Sequence, residues 1–488
     1  MSGGLTFSVS RRRIWILVGL ILGAAAILWL LFTAGLTILR YRLNYSSAYD
    51  FGIFSQMYYY MDQCLQPLTT CERDGLLSHF AVHLSPIFYL LLPFYKLVPS
   101  PETLLLFQAL LVVSGVIPLC LLGRNMNLGP GPVLVFGLMY ICYPAFMGGC
   151  FYDFHENKFL SVLILWTMYW LESGRYKTMG FFALLILLVK EDAPVYAACI
   201  GLYLFLEKRQ YLWGGAVFLF SCLYFTSAVW FLDHFGDGAM INRFDSYISD
   251  ESYGLLSMFK TILVDPAYVL AQILTPDKIL FLLQMLLPLG FLPLMSLRLG
   301  KWVLLIPFVL INLMSNYKYQ HSIFFQYTYG SGALLFYLAM ANFRDLKLPI
   351  FRQLRPLFLG SGLFCAVALV LTVGSTKTRY LDLWEKNAPK AQEARELLSE
   401  IPQEARVRSS TFFIPQLSMR DEIYVSKSRH PVDYVVLDLR PGYERDLPLL
   451  LDYYRKTGWQ LAGSVQGYVA LFAAPAREAE SPPSSPAP

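Results

Sequence analysis

The stretch RRRIWILVGLILGAAAILWLLFTAGLTIL, residues 11–39, decides the fold class of this chain. Its three arginines precede an apolar run that is longer than the core of a signal peptide and lacks a convincing small-residue cleavage site. The run therefore predicts a first membrane-spanning helix. Because arginine clusters stay on the cytoplasmic side, we expect the segment after Arg40 on the outer side.

The composition of the whole chain also indicates a membrane protein. Of the 488 residues, 56% are hydrophobic and only 15% are charged, whereas soluble domains carry about 25% charged residues. This excludes an ordinary cytosolic enzyme, a disordered chain and a collagen-like chain. The net charge of +5 is small for this length, and it predicts no nucleic-acid partner.

Further apolar runs predict an α-helical polytopic membrane protein with about 11 crossings. The later spans are expected near residues 102–123, 131–150, 158–173, 179–190, 193–207, 212–235, 279–297, 302–316, 323–341 and 356–375. With these spans, the basic turns all fall on the cytoplasmic side, as the positive-inside rule requires; they contain Arg124, Arg175, Lys208, Arg298 and Arg344. We therefore predict a multi-pass protein of the cell (plasma or inner) membrane with a cytoplasmic N-terminus.

Two apolar stretches depart from the simple pattern of spans. Counting residues 79–98 as a crossing would invert every later basic turn, and Pro86 and Pro93 interrupt the stretch. We therefore predict a helix that lies at the outer interface. The spans at 179–190 and 193–207 are shorter than about 20 residues, which predicts a broken hairpin with residues 190–192 at its tip.

The composition changes after the last span and predicts three regions. Residues 1–375 form the transmembrane domain, with an outer first loop at 40–101. Residues 376–475 form a small α/β extracytoplasmic domain, and the Pro/Ser-rich tail at 476–488 is disordered. The predicted helices of the small domain lie at 385–401 and 443–456, and its strands lie at 405–409, 422–425, 432–439 and 468–472.

Costly polar groups gather on the predicted outer side of the membrane. We select catalytic candidates at Asp50, Asp153, His155 and Glu156. The substrate-binding candidates are Lys190, Glu191, Asp192, His79, His83, Gln56 and Tyr49, and a weaker candidate lies at 318–326. Charged groups beside hydrocarbon are functional candidates by default. Carboxylates and imidazoles suit acid–base chemistry on a hydroxyl, and a lysine suits a phosphate. Alternatively, Asp50 and Asp153 cap helices, and Glu191 and Asp192 form a solvated turn.

A divalent metal is a second possibility, although no cofactor is certain. His79 and His83 are spaced as neighbours on one helix face, and Asp153 or His155 would complete the site. Cysteine pairing is also open: residues 64 and 71 lie in the outer first loop and would form a disulfide in an oxidising compartment. The chain has no Walker-type loop and no GxSxG motif, so nucleotide-driven pumping and α/β-hydrolase chemistry have no support.

Several of these segments resemble a known family. They are YDFGIFSQ (49–56), HFAVHLSPIFYLLLPFYKLVPSPETLLLFQAL (79–110), FYDFHENKF (151–159), LLVKEDAP (187–194) and DYVVLDL (433–439). They look like the membrane proteins grouped as domain of unknown function 2079, and the resemblance covers about residues 40–475. That family is similar to the GT-C glycosyltransferases, which transfer sugars from polyprenyl-phosphate donors at the outer membrane face. The resemblance implies that Asp50 is a catalytic base and that Lys190 contacts the lipid phosphate.

The resulting expectation is a membrane glycosyltransferase. It would move a sugar from a polyprenyl-phosphate donor in the membrane lipid to a hydroxyl of a glycan, lipid or protein acceptor. Asp50 or Asp153 would draw the proton, and His155 and Glu156 would act as a second acid or ligand. One alternative is a transporter or lipid-handling protein without catalysis. The other is a non-catalytic scaffold whose C-terminal domain binds a partner.

Overall fold

The computed structural model describes residues 11–238, 240–248, 255–346 and 348–475, so the predicted tail lies outside the described residues. The chain divides into two compact units. The first, here called the helical unit, consists of Met1–Ile38, Phe80–Val98 and Glu102–Arg379. The second, here called the sheet unit, consists of Leu39–His79, Pro99–Pro101 and Tyr380–Pro488.

Helices account for most of the described chain. In chain order they are α1 (Arg11–Arg42), α2 (Ile53–Cys64), α3 (Phe88–Tyr95), α4 (Pro101–Ser114), α5 (Val116–Asn125), α6 (Pro130–Ile141), α7 (Pro144–Phe151), α8 (Lys158–Glu172), α9 (Tyr176–Leu187), α10 (Pro194–Leu206), α11 (Tyr211–Phe235), α12 (Leu255–Val264), α13 (Pro266–Ile273), α14 (Pro276–Leu286), α15 (Leu299–Trp302), α16 (Tyr329–Asp345), α17 (Pro349–Gln353), α18 (Arg355–Ser399), α19 (Ile414–Leu417) and α20 (Leu447–Lys456). Short 3₁₀ and π turns join several of them, as at Phe308–Leu313.

Five helical segments of the described chain are long and apolar enough to span a membrane. They are Arg11–Arg42, Pro101–Asn125, Pro130–Phe151, Tyr211–Phe235 and Arg355–Ser399, and a pair bent by 72° at Pro266–Leu289 makes a sixth. The expected count of about 11 is not confirmed, because several predicted spans correspond to helices that are too short to cross the hydrocarbon alone. The shorter apolar helices are Tyr176–Leu187, Pro194–Leu206 and Leu299–Leu313.

The predicted broken hairpin matches α9 and α10, which are separated by residues 188–193. Pro194 occupies the first turn of α10, where its missing N–H costs nothing. Helix α10 also packs closely on α11, because a Cβ at Gly201 would lie 2.7 Å from the backbone nitrogen of Phe218. Small residues permit this kind of close helix approach. The tip at 190–192 is thus followed by a helix that is tightly packed on α11.

The predicted helix at 79–98 is wrong over its first half. The chain makes one 3₁₀ turn at His79–Ala81 and becomes helical again only in α3. Proline disfavours a helical conformation of the residue before it, so Pro86 disfavours a helix at Ser85. The backbone N–H of Ile87 also donates to the carbonyl oxygen of Leu188, 2.9 Å away, which ties this segment to the α9–α10 loop. His79 and His83 therefore do not share a helix face.

The sheet unit contains a small antiparallel pair, β1 (Leu68–Thr69) and β2 (Leu77–Ser78), followed by a five-stranded mixed sheet. The strands of the mixed sheet are β3 (Val407–Ser409), β4 (Ile423–Val425), β5 (Tyr434–Asp438), β6 (Gln460–Val465) and β7 (Val469–Ala473). Their order in the sheet is β4-β3-β5-β7-β6. Strand β3 is parallel to β4 and β5, whereas β7 is antiparallel to β5 and β6. Four strands were predicted, and β6 was missed because it is mostly exposed and lacks an apolar face.

Helices cover both faces of this sheet. The C-terminal part of α18 packs through Ala391, Ala394 and Leu398 on one face, and α20 packs through Tyr454 on the other. The predicted helix at 385–401 is the end of the continuous helix α18. The predicted helix at 443–456 begins later, at Leu447, because Asp446 before it has a left-handed conformation. The unit is thus an α/β layered structure.

Candidate functional site

Five charged or polar residues with little exposure follow α7 in the helical unit. Asp153, His155, Glu156, Asn157 and Lys158 are all buried. Close packing positions this loop, because a Cβ at Gly148 would collide with the carbonyl oxygen of Ile323. Charges so poorly hydrated are costly unless they are paired, which makes the loop a candidate site.

Glu156 joins this loop to the α9–α10 loop. Its Oε1 lies 3.1 Å from Lys190 Nζ, and its Oε2 lies 2.8 Å from His155 Nδ1. Burial alone would raise the pKa of Glu156, but the positive charges of His155 and Lys190 hold that pKa well below its ordinary value. Glu156 is therefore a carboxylate that balances cations, and it is not poised to accept a proton.

Glu191 makes a second link, to the segment before α3. Its Oε1 lies 2.8 Å from His83 Nδ1, and its Oε2 accepts the backbone N–H of Leu84. Burial opposes the charge, but His83 and Lys190 lower the pKa of Glu191 to about 2. Since Glu191 is buried and paired, the solvated-turn alternative is wrong for it.

The pKa of Asp192 is shifted in the opposite direction from those of Glu156 and Glu191. Burial and the negative charge of Glu191 raise the pKa of Asp192, although Lys190 and Arg243 act in the opposite direction. Asp192 lines a cavity of about 530 Å³ between α10, α11 and later segments, together with Glu191, Arg243 and Gln320. The rest of the wall is mostly apolar, with residues such as Phe218.

Arg243 belongs to this site, and the sequence analysis did not select it. Its guanidinium lies over the rings of Tyr317 and Tyr327, 5.0 and 5.4 Å from their centroids. Aromatic faces stabilise a cation that has lost part of its hydration. Its position in the predicted outer segment between the spans at 212–235 and 279–297 could have indicated it. That segment has no apolar run beside Arg243, so the charge was not recognised as costly.

Asp153 lies beside a second buried cation. Lys158 Nζ donates to the backbone carbonyl oxygen of Asp153, 2.6 Å away, and lies 6.0 Å from the ring centroid of Tyr329. Asp153 does not occupy the N-cap position of α8, because Asn157 does. The capping alternative therefore does not explain Asp153.

Asp50, in the sheet unit, has a strained backbone. Its φ and ψ are +65° and −73°, inside the π-helical turn Ala48–Gly52. A residue other than glycine rarely adopts this conformation, and such strain concentrates at functional positions. Gly52, and not Asp50, is the N-cap of α2, and the neighbouring Tyr49 is exposed.

The side-chain amide of Gln56 forms hydrogen bonds at both its oxygen and its nitrogen. Its Oε1 accepts from the backbone N–H of Thr70 at 2.8 Å, and its Nε2 donates to the carbonyl oxygens of Arg420 and Asp421. These bonds join α2 to the start of β4 within the sheet unit. Since both ends of the amide are engaged, Gln56 is not retained as a substrate-binding candidate.

His79 and His83 each pair with a glutamate and do not form a metal site together. His79 Nδ1 lies 2.8 Å from Glu72 Oε2, and its ring packs against Phe54, whereas His83 pairs with Glu191. Over the described ranges, no group of three or more His, Cys, Asp or Glu side chains is arranged to hold a metal ion. The predicted metal site, with His79 and His83 on one helix face and Asp153 as a third ligand, is therefore not supported.

The two cysteines of the first loop are free thiols. Cys64 is exposed and Cys71 is buried. Burial raises the pKa of Cys71 to about 12, and its Sγ lies 3.6 Å from the carbonyl oxygen of Ile423. The structure therefore favours two reduced cysteines over the disulfide that the spacing left open.

Comparisons with known proteins agree with this fold. The family model described as "Predicted membrane protein (DUF2079)" matches residues 39–461. The crystal structure of ArnT from Cupriavidus metallidurans bound to undecaprenyl phosphate aligns with a TM-score of 0.55 at 11% identity, over 93% of this chain and 97% of ArnT. The apo crystal structure of ArnT aligns with a TM-score of 0.50 at 10% identity, over 92% and 98%. No curated protein sequence matches the chain. At these identities the likeness is one of fold alone.

Proposed function

The chain belongs to the DUF2079 family of predicted membrane proteins, and we propose that it is a membrane glycosyltransferase. It moves a sugar from a polyprenyl-phosphate donor to an acceptor hydroxyl at the outer membrane face. The observation that carries the proposal is the mostly apolar cavity of about 530 Å³ with Glu191, Asp192 and Arg243 in its wall. The fold likeness to a protein crystallised with undecaprenyl phosphate supports it.

The cavity suits a lipid that carries a phosphate. Its apolar wall excludes water and takes the isoprenoid chain, and Arg243 in the same wall offers a planar guanidinium to the phosphate oxygens. Lys190, next to the lining residue Glu191, supplies a second cation. Because Lys190 is paired with Glu156, the donor phosphate would share that ammonium group with a carboxylate.

The proposed reaction is an inverting displacement. The acceptor oxygen forms a bond to the anomeric carbon while the bond from that carbon to the phosphate oxygen breaks. The acceptor proton passes to a carboxylate, and the polyprenyl phosphate leaves with the bonding electrons. Asp50 and Asp153 are the candidate bases, and the strained backbone of Asp50 favours it. Cations that stabilise the departing phosphate lower the barrier.

The test compares two carboxylate variants with a surface control. We expect Asp50→Asn to lose transfer by about 100-fold or more, since a general base contributes on that order, while retaining folding and lipid-phosphate binding. Asp153→Asn tests the second candidate, and Asp452→Asn in α20 is the exposed control. Lipid-linked sugars and glycans are measured by mass spectrometry in a deletion strain that carries each variant. Full product formation by both Asp50→Asn and Asp153→Asn would refute the proposed base.

A lipid-handling or transport function without chemistry is the second candidate. The same apolar cavity beside buried ion pairs favours it, since carriers also place charged groups beside hydrocarbon. Proteoliposomes distinguish the two functions. Movement of a polyprenyl phosphate between leaflets with no sugar transfer supports the carrier, whereas product formation supports the transferase.

A further inference from the structure

The sheet unit has a pocket that none of the groups described above uses. It lies beside strand β3, the segment before β5, the end of α20 and the end of β7. Its volume is about 660 Å³, which lies within the range of about 300–1,000 Å³ that is common for small-ligand sites. The lining combines cations with aromatic rings.

Arg408 is the central cation of this pocket. Its Nη2 donates to the carbonyl oxygen of His430 at 2.6 Å, and its Nη1 donates to the hydroxyl of Tyr454 at 3.4 Å. Within the described chain its buried Nε has no hydrogen-bond partner. A guanidinium carries five N–H donors, so Arg408 is held in place by the protein with donors still available to an anion.

The charge balance of the lining is positive. Arg429 is an exposed second cation at the same pocket. Asp433, the only carboxylate among the lining residues, is already bound by Arg406 through Nη2 to Oδ1 at 2.9 Å and Nε to Oδ2 at 3.2 Å. Since Arg406 neutralises that carboxylate, the pocket favours an anionic ligand.

The aromatic side chains suit the face of a sugar ring. Tyr454 packs edge-on against Tyr453 and Trp459, with centroid distances of 5.2 and 5.3 Å. Tyr453 is exposed and Trp459 is half-buried, so both present ring surface to a ligand. The negative face of an aromatic ring attracts the C–H groups that line one side of a pyranose.

We propose that this pocket binds a sugar that carries an acidic group, either a carboxylate or a phosphate. The sugar ring packs on Trp459 and Tyr453, and its anionic group pairs with Arg408 and Arg429. Under the proposed transferase function, this site captures an acidic glycan as the acceptor. That assignment as acceptor rests on the proposed function, whereas the binding of the sugar does not.

The experiment titrates the full chain in lipid nanodiscs, without donor, by calorimetry and ligand-observed NMR. The probes are trigalacturonate, glucose 6-phosphate, neutral maltotriose and inorganic phosphate. We expect at least one acidic sugar to bind about tenfold or more tightly than maltotriose and inorganic phosphate, since charge-assisted hydrogen bonds are worth that factor. The tighter of the two acidic sugars identifies a carboxylate or a phosphate as the recognised group.

Matched variants locate the binding. Arg408→Gln and Trp459→Ala should each weaken it by about tenfold, whereas Arg455→Gln, which removes an exposed cation outside the pocket, should not. If Arg408→Gln fails to fold, the exposed Arg429→Gln provides the charge variant. Equal binding of neutral and acidic sugars, no binding of either, or binding of inorganic phosphate as tight as that of the acidic sugars would each overturn the proposal.

The result is separable from the transferase test. Binding of an acidic sugar by a chain that transfers nothing preserves the pocket assignment and contradicts the proposed function. Sugar transfer by a chain that binds none of these probes preserves the proposed function and contradicts the pocket assignment.

Discussion

Lys190→Met breaks an ion pair that has almost no access to water. The Nζ of Lys190 lies 3.1 Å from Glu156 Oε1, and the two side chains are 2% and 0% exposed. At that distance and an effective dielectric constant of about 20, the attraction is about 5 kcal/mol. Removing one partner of a buried pair costs about 3–5 kcal/mol, because the other charge remains buried without compensation. Since His155 also pairs with Glu156, we expect a loss near the lower limit, about 3 kcal/mol.

The assay is a mixed-micelle unfolding titration followed by tryptophan fluorescence. The double variant Lys190→Met/Glu156→Gln should regain at least part of the lost stability, because both charges are then absent. Lys456→Met is the matched control, since its pair with Asp452 is 74% and 56% exposed and its loss should change little. Native-like stability of Lys190→Met, or a double variant less stable than Lys190→Met, would refute the reasoning about a desolvated pair.

The same variants distinguish structure from ligand binding. If Lys190 holds the donor phosphate, undecaprenyl phosphate binds weakly to both Lys190→Met and the double variant, although the double variant has regained stability. If the double variant regains stability and lipid affinity together, the role of Lys190 is structural only. Both quantities can be measured on one preparation.

Three further predictions concern other parts of the chain. Because Cys64 is exposed while burial raises the pKa of Cys71 to about 12, a membrane-impermeant maleimide should label Cys64 and not Cys71 in intact cells. Labelling of Cys64 only after lysis would contradict an extracytoplasmic first loop. The pKa of Asp192 is raised, so the stability that its protonated form contributes is present at low pH and is lost as the pH rises through that pKa. Asp192→Asn should therefore raise the melting temperature over that of the native chain by more at about pH 8 than at about pH 4. An equal gain at both pH values would contradict this. Arg440→Met leaves the buried Asp438 without its partner at 2.6 Å, which should cost about 3 kcal/mol and speed proteolysis of the sheet unit; unchanged proteolysis would contradict it.

Sequence reasoning identified the members of the ion-pair network but not their partners. His83, Glu156, Lys190 and Glu191 were each selected because a charge beside apolar residues is costly. Their pairing follows from the packing of helices whose loops are far apart along the chain, which local patterns do not encode. Arg243 was missed for a related reason, since only the approach of Tyr317 and Tyr327 distinguishes it from an ordinary loop cation.

Tertiary contacts also account for the errors. The segment at 79–87 begins an apolar stretch that was predicted to be helical, but Glu191 and the carbonyl oxygen of Leu188 bind its backbone and hold it in a non-helical conformation. Gln56 looked like a substrate ligand because it follows the Asp50 segment, yet its amide bonds to Thr70 and to residues far along the chain. In both cases hydrogen bonds to distant residues outweighed the local pattern.

Composition and apolar periodicity were sufficient to determine a helical membrane protein and four of the five strands of its sheet, because burial in lipid or in a core imposes residue patterns along consecutive positions. The pairing of His83 with Glu191 and of Glu156 with Lys190 was decided only by the folded chain. The same is true of the shape of the cavity beside Asp192. These features depend on how separate helices pack, and the free energy of that packing belongs to the whole fold rather than to any one segment.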